Sequence, residues 1–412
     1  MTALRWPKQW QDAAVLELLT GSPVKYVIAD AETRQTAGAI LARAEAAGIK
    51  VLDEGTAPAG VRIVEATWPG ARLSVPNPTG EAAAAAGPTG EPWVDALGWV
   101  VQLHRARRPG DAIWIDSKPE GGIITADAYL RAVADAGANG GRWMVSIDDE
   151  FAKRLATRAA DAVETWKKMM QACDYFDRNK AWDTYQRVAA FGVVSDFEGD
   201  NEYLTTEILN LATRNNQPCL VLEKSKAAGA DLKALRAVVY VDETPPDPPL
   251  RRALLAYADS GGLLVVGPKW GAPEGTPSTR KHARFAFRSL GKGGLAIVTE
   301  DAPDPWNLAK DVPVLISHRY DVIRIFGANA AIVYYTVAPG GRAGLVQVVN
   351  FAGQPRGASG EVTVRIAAPY REALFRTLDE PAPKQVKIAV RQDATEIFLP
   401  PIPIYAAVEL LK

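Results

Sequence analysis

A chain of 412 residues is longer than one ordinary core organises, so two or three domains are the default expectation. Apolar residues make up 48% and charged residues 23%, a globular balance that excludes a disordered or fibrous chain. Lys plus Arg number 47 against 48 Asp plus Glu, so no basic excess favours nucleic acid or anionic lipid, and no apolar run approaches the roughly 20 residues of a membrane span.

The first third alternates strand-like and helix-like segments. A helix is predicted over 10–19, a strand over 25–30, a helix over 36–47, and strands over 50–54, 61–65 and 72–75. Helix 93–107, strand 111–116, helix 126–138, strand 142–148 and a long helix over 150–177 follow. Such alternation argues for a parallel α/β layer or a reduced, irregular (β/α) barrel over residues 1–186, with six strands rather than eight.

Five of those strands end in acid, at Asp30, Asp53-Glu54, Glu65, Asp116 and Asp148-Asp149. In a parallel barrel all C-terminal strand ends face one mouth, where a protonated and an ionised carboxyl could cleave a glycosidic bond. Trp114 shares strand parity with Asp116, and Ile63 with Glu65. Glu65 and Asp116 are therefore the preferred catalytic pair, with Asp30, Glu54, Glu91 and Asp148 as weaker candidates. Trp68, Trp93, Trp99, Trp114 and Trp143 lie close by as platforms for sugar rings. The competing account is capping, since Asp before a helix is a common N-cap, and Asp148-Asp149-Glu150 before a helix suits that role. A duplicated Pro-Thr-Gly-Glu, at 78–81 and 88–91, reads equally as a lid over the mouth or as a solvated insertion.

In the middle, Phe191-Gly-Val-Val194, Cys219-Leu-Val-Leu222, Ala237-Val-Val-Tyr-Val241 and Leu263-Leu-Val-Val266 are continuous apolar runs, as expected of strands buried on both faces. Leu204, Ile208 and Leu211 mark one helical face, and Leu250, Leu254 and Tyr257 another. The result is a flavodoxin-like doubly wound unit over 187–270. It has no Gly-x-nucleophile-x-Gly elbow around Cys219 and no Gly-rich phosphate loop. Cys173 and Cys219 stand apart without ligand spacing, and His104, His282 and His318 are dispersed, so no disulfide, metal site or catalytic triad is expected. No cofactor is called for.

After the Gly- and Pro-rich 270–279, short alternating runs such as 285–287, 296–298, 331–337, 344–350, 362–366 and 396–399 predict an antiparallel β-sandwich over 271–412.

The run from Phe191-Gly-Val-Val-Ser-Asp196 to Leu255-Ala-Tyr-Ala-Asp-Ser-Gly-Gly-Leu-Leu-Val-Val266 resembles the trimerisation-type domain of bacterial β-galactosidases, similar in fold to class I glutamine amidotransferases but without their activity. Leu19-Thr-Gly-Ser-Pro-Val-Lys-Tyr-Val-Ile-Ala-Asp30, Pro88-Thr-Gly-Glu-Pro-Trp-Val-Asp-Ala-Leu-Gly-Trp99 and Gly140-Gly-Arg-Trp-Met-Val-Ser-Ile-Asp-Asp149 look like barrel segments of bacterial glycoside-hydrolase-like proteins. The resemblance implies a carbohydrate ligand, a homo-oligomer through the middle domain, and a periplasmic or secreted location, although residues 1–7 carry no signal-peptide pattern. It carries no catalytic signature onto numbered residues, and no Asn-Glu pair closes a strand. Two functions stand: a glycoside hydrolase, or a non-catalytic carbohydrate-binding or assembly protein on a degenerate glycosidase scaffold.

Overall fold

The computed structural model describes residues 1–71, 94–119, 124–328, 330–351 and 362–412. The duplicated Pro-Thr-Gly-Glu, Glu91, Trp93 and the strand expected over 72–75 lie outside them.

Six short parallel strands organise the N-terminal part. Thr2–Arg5, Val24–Ala29 and Lys50–Asp53 form one sheet, with Val24–Ala29 in the centre. Val61–Glu65, Ala112–Asp116 and Arg142–Trp143 form another, centred on Ala112–Asp116. A parallel bridge between Leu4 and Val145 joins the two. The strands thus follow one another in cyclic order, with the sixth beside the first. Alternation sorts the side chains: Ala3, Tyr26, Ile28, Trp114 and Met144 meet on the inner face. Leu4, Val27, Val64, Ile113, Ile115 and Val145 point outward into the main core beneath the helices.

The expected barrel is not closed among the described residues, because Lys50–Asp53 and Val61–Glu65 share no ladder. The cause is the connection. Parallel neighbours need a crossover of a dozen or more residues, and 54–60 turns between the two strands without a helix, on Gly55 and Gly60 in the left-handed region. Two further elements differ from expectation. The stretch over 10–19 is the 3₁₀ segment Ala13–Leu18, and the long helix over 150–177 is two helices, Asp149–Ala156 and Ala160–Arg178. Arg158, with φ of 60°, breaks them apart.

In the middle part the strands run in the order Cys219–Glu223, Phe191–Ser195, Ala237–Tyr240, Leu263–Val266, all parallel. Gly293–Val298 continues this sheet in parallel, and Phe285–Leu290 with Thr276–Pro277 extends it antiparallel. The sequence pattern assigns these last strands to the sandwich. They pair here because Gly293 permits it: a Cβ there would lie 2.2 Å from the Gly262 carbonyl oxygen and 2.4 Å from that of Ala258. The parallel part has the 2-1-3-4-5 order of doubly wound folds. Helices Glu202–Arg214 and Pro305–Ile316 cover one face and Pro248–Asp259 the other.

The C-terminal part is two antiparallel sheets. Ile323–Phe326, Val362–Ile366, Ala394–Leu399 and Ile388–Arg391 make one. The other contains Lys384–Gln385, Glu372–Thr377, Tyr405–Leu411, Ala343–Asn350 and Ala331–Val337. An apolar core of Val346, Val348, Val364, Phe375, Ile397 and Val408 among others lies between them. The edge of the larger sheet is completed from far upstream by Gln186–Arg187, which pairs with Thr336 and Val337.

Helix Ala126–Ala138 lies between the N-terminal strands and this sandwich, and polar bonds tie it to the sandwich and to the segment at Leu97. Arg131 Nε donates to the Asn350 carbonyl at 3.0 Å, and Gln347 Nε2 donates to that of Ala138 at 2.7 Å. Asp135, wholly buried, accepts from the Leu97 amide at 2.6 Å and the Tyr334 hydroxyl at 2.9 Å. Burial outweighs these bonds and pushes its carboxyl up to about 6. A raised folded-state value means this group favours the fold most below its ordinary 3.8, and that contribution is lost as pH rises through about 6. Asp135→Asn keeps the shape and can still accept from Leu97 while donating to Tyr334. Between pH 7.5 and 4.5 the parent is expected to gain about 2 kcal/mol relative to Asp135→Asn in urea unfolding. A constant difference across that range would remove Asp135 as the source.

Candidate active site at the strand ends

Strand parity carries Arg5, Asp30, Glu54, Glu65 and Asp116 to the C-terminal ends of the strands, on the side of the inner face. Glu65 and Asp116 are aligned partners on adjacent strands, so their backbones are about 4.8 Å apart. Arg5 is the side chain that sequence reasoning missed. Its guanidinium donates to Asp116 Oδ2 at 2.7 Å and with its other arm to Glu54. Lys118 Nζ lies 3.8 Å from the same Glu54. Thr2–Arg5 is only four residues long, with no periodicity around it to mark a strand. Its one available signal is the Leu-Arg ending, a cation where most of the other strands run into an acid.

The acids divide by what they bind. Asp30 is the N-cap of helix Ala31–Ala46, accepting from the Thr33 amide at 2.7 Å, and that bond holds its carboxyl below the usual range. Asp148 caps Asp149–Ala156 through the Phe151 amide at 2.9 Å and also accepts from the Tyr129 hydroxyl. Burial and that carboxylate push the Tyr129 phenol above its ordinary value. Asp116 keeps one oxygen on Arg5, while its Oδ1, Arg5 Nε and Ser117 Oγ are buried with no partner. Glu65 is exposed, and its carboxylate makes no hydrogen bond or ion pair among the described residues. A cleft of about 620 Å³ opens beside them, lined by Arg5, Asp30, Glu54, Lys118 and Asp148 among others; Glu65 and Asp116 are not in its lining, and Asp116 meets it only through Arg5.

The tryptophans are placed differently from the acids. Trp114 is 1% exposed, inside the strands against Tyr26. Trp143 is 2% exposed and donates to the Ser117 carbonyl at 2.9 Å. Trp68 is half-buried, edge-on to Trp143 and Tyr129. Trp99, also half-buried, packs between two cores. Their ring faces are largely covered by protein, as large aromatics usually are. Trp6 lines the cleft, but it too is buried, at 3% exposed.

A larger cleft, about 1540 Å³, lies at the opposite, N-terminal ends of the strands. Arg142, at its wall, is matched by acids: it donates to Asp177 at 2.9 Å, to Asp183 at 3.0 Å and to the Phe176 carbonyl at 2.8 Å. Chemistry in parallel barrels sits at the other end, where loops rather than packed ends supply the residues. Among the described residues no group of three or more His, Cys, Asp or Glu could hold a metal ion. Burial pushes both thiols, Cys173 and Cys219, up to about 12, so neither ionises readily. No helix among the described residues is long and apolar enough to cross a membrane.

Comparison with protein-family models gives no match, and comparison with curated proteins gives none either. Solved structures do match. Alpha-L-fucosidase isoenzyme 2 from Paenibacillus thiaminolyticus aligns over 96% of this chain and 79% of its own, at a TM-score of 0.52 and 10% identity. A rhamnosidase from Novosphingobium sp. PP1Y aligns over 92% of this chain at a TM-score of 0.50 and 10% identity, and the chain spans 38% of its length. A beta-galactosidase from Bacillus circulans sp. alkalophilus covers 75% of this chain and 61% of its own at a TM-score of 0.45 and 11% identity. The first two likenesses show a glycoside-hydrolase-like fold, a multidomain α/β architecture.

Proposed function

We propose that the chain is a carbohydrate-acting hydrolase working at the C-terminal ends of its six parallel strands. The observation that carries this is the register of Glu65 against Asp116, side by side at the mouth with Arg5 against one of them. Aligned neighbours on parallel strands have backbones about 4.8 Å apart, a spacing compatible with the roughly 5–10 Å between carboxyl groups that glycoside hydrolysis uses. Asp116, held by the guanidinium, is the ionised partner that attacks or stabilises the developing positive charge. Glu65 has no competing partner among the described residues and is the proton donor. The fold shared with a fucosidase and a rhamnosidase supports a sugar substrate by analogy alone.

The second reading, a non-catalytic carbohydrate-binding protein, draws on the engagement of the remaining acids. Asp30 and Asp148 serve as caps and Glu54 serves Arg5. A panel of aryl glycosides separates the two. Glu65→Gln and Asp116→Asn are each expected to lower kcat at least about 100-fold on any substrate the parent turns over, with sugar binding retained. Turnover unchanged in both variants would exclude this pair, and binding by the parent without turnover on the whole panel would favour the second reading.

A further inference from the structure

We infer that the junction of the N-terminal strands, the doubly wound sheet and the sandwich is a binding site for a compact oxyanion, a small phosphate- or dicarboxylate-type molecule. A cavity of about 190 Å³ lies there, lined by Arg105, Asn139, Trp182, Arg187, Thr336 and Gln347 among others. One water occupies about 30 Å³ of liquid, so the space holds a group of several heavy atoms. It shares Arg105, Gly140, Asp183 and Tyr185 with the large cleft at the N-terminal strand ends, which supplies a path from solvent.

The charges in this cavity do not balance. Arg105 donates only to carbonyl oxygens, those of Asn139 at 3.3 Å and Asp183 at 2.7 Å. Arg187 donates to Asn139 Oδ1 at 2.7 Å and lies over the Tyr334 ring at 5.1 Å. Neither makes an ion pair with a described residue. The one carboxylate lining the cavity, Asp183, is bonded by Arg142. Burial lowers the pKa of both guanidiniums; the Asp183 carboxylate, shared with Arg142, offsets this in part for Arg105, and Arg105 lowers that of Arg187 further, as two cations facing one space must. Thr336 Oγ1 adds a buried hydroxyl with no partner. A guanidinium has five N–H donors in a planar fork that matches a carboxylate or phosphate edge. An oxyanion seated here takes the donors of Arg187, accepts from Thr336 and offsets the excess charge.

The site is remote from the strand-end mouth, at the opposite end of the strands, and does not depend on what that mouth does. Since its walls come from all three parts of the chain, occupancy also clamps them together. Titration calorimetry of the full chain with inorganic phosphate and with succinate, each at an ionic strength fixed with sodium chloride, tests it. At least one probe is expected to bind with one site per chain and to raise the melting temperature. Arg187→Gln is expected to weaken that binding tenfold or more, and Thr336→Val, which leaves every charge in place, three- to fivefold. If Arg187→Gln does not fold, Thr336→Val decides alone. Absence of saturable binding by both probes overturns the assignment, and so does affinity unchanged in the variants.

Discussion

Arg142→Met is expected to destabilise the chain by about 3–5 kcal/mol, the loss typical when one partner of a buried ion-pair network is removed. The guanidinium is 13% exposed and bonds Asp177, Asp183 and the carbonyls of Gly141 and Phe176. Methionine fills much of the volume but leaves the partly buried Asp183 carboxylate without this partner, facing Asp177, which keeps the Met1 amine at 2.8 Å. Burial already raises the Asp183 pKa despite Arg142 beside it, so the carboxylate is poorly solvated even in the intact network. Two checks follow in urea unfolding. The deficit should shrink as pH is lowered from 7 towards 5, because protonation relieves the uncompensated charge, and Asp183→Asn should cost less in the Arg142→Met background than in the parent. A deficit below 1 kcal/mol at pH 7 would mean that solvent screens the network as it screens a surface pair.

Trp166→Ala ranks with it. Trp166, on Ala160–Arg178, is 2% exposed, donates from its indole to the Leu18 carbonyl at 3.0 Å and meets Trp10 edge-on at 5.8 Å. Truncation of a buried tryptophan costs about 3–5 kcal/mol through lost burial and the cavity left behind, and here the Leu18 carbonyl also loses its donor. Trp166→Phe keeps most of the ring contact and loses only the hydrogen bond and part of the area, so roughly half that cost is expected. Equal midpoints for the Ala and Phe variants in guanidinium unfolding would show that packing at this site is not the dominant contribution.

The sequence is most legible where one physical signal acts alone. Phe191–Ser195, Cys219–Glu223, Ala237–Tyr240 and Leu263–Val266 are unbroken apolar runs buried on both faces, and they form strands where the pattern places them. Asp148 caps a helix, as an acid before Asp-Glu and an apolar stretch suggests. Legibility fails where a partner far along the chain decides. Phe285–Leu290 and Gly293–Val298 alternate like sandwich strands, yet join the parallel sheet because the Gly261-Gly262 corner leaves room for Gly293. Asp116 and Glu54 end their strands as free acids would, but Arg5, from a strand too short to read, binds them both. Parity could show which acids share a face. It could not show which cation stands among them.

The pairing of Gln186–Arg187 with Thr336 and Val337 has a temporal side. During synthesis the two partners emerge roughly 150 residues apart, an interval of roughly 10–30 s at ordinary elongation rates. Throughout that time the nascent chain carries an unpaired strand segment, and Asp135 has yet to meet the Tyr334 hydroxyl. Contacts of such long sequence separation also form slowly, since loop closure precedes their reward. The N-terminal part therefore reaches its final packing only after nearly the whole polypeptide has been made, and the ribosome, rather than any local preference of residues 1–186, sets when its last surface is covered.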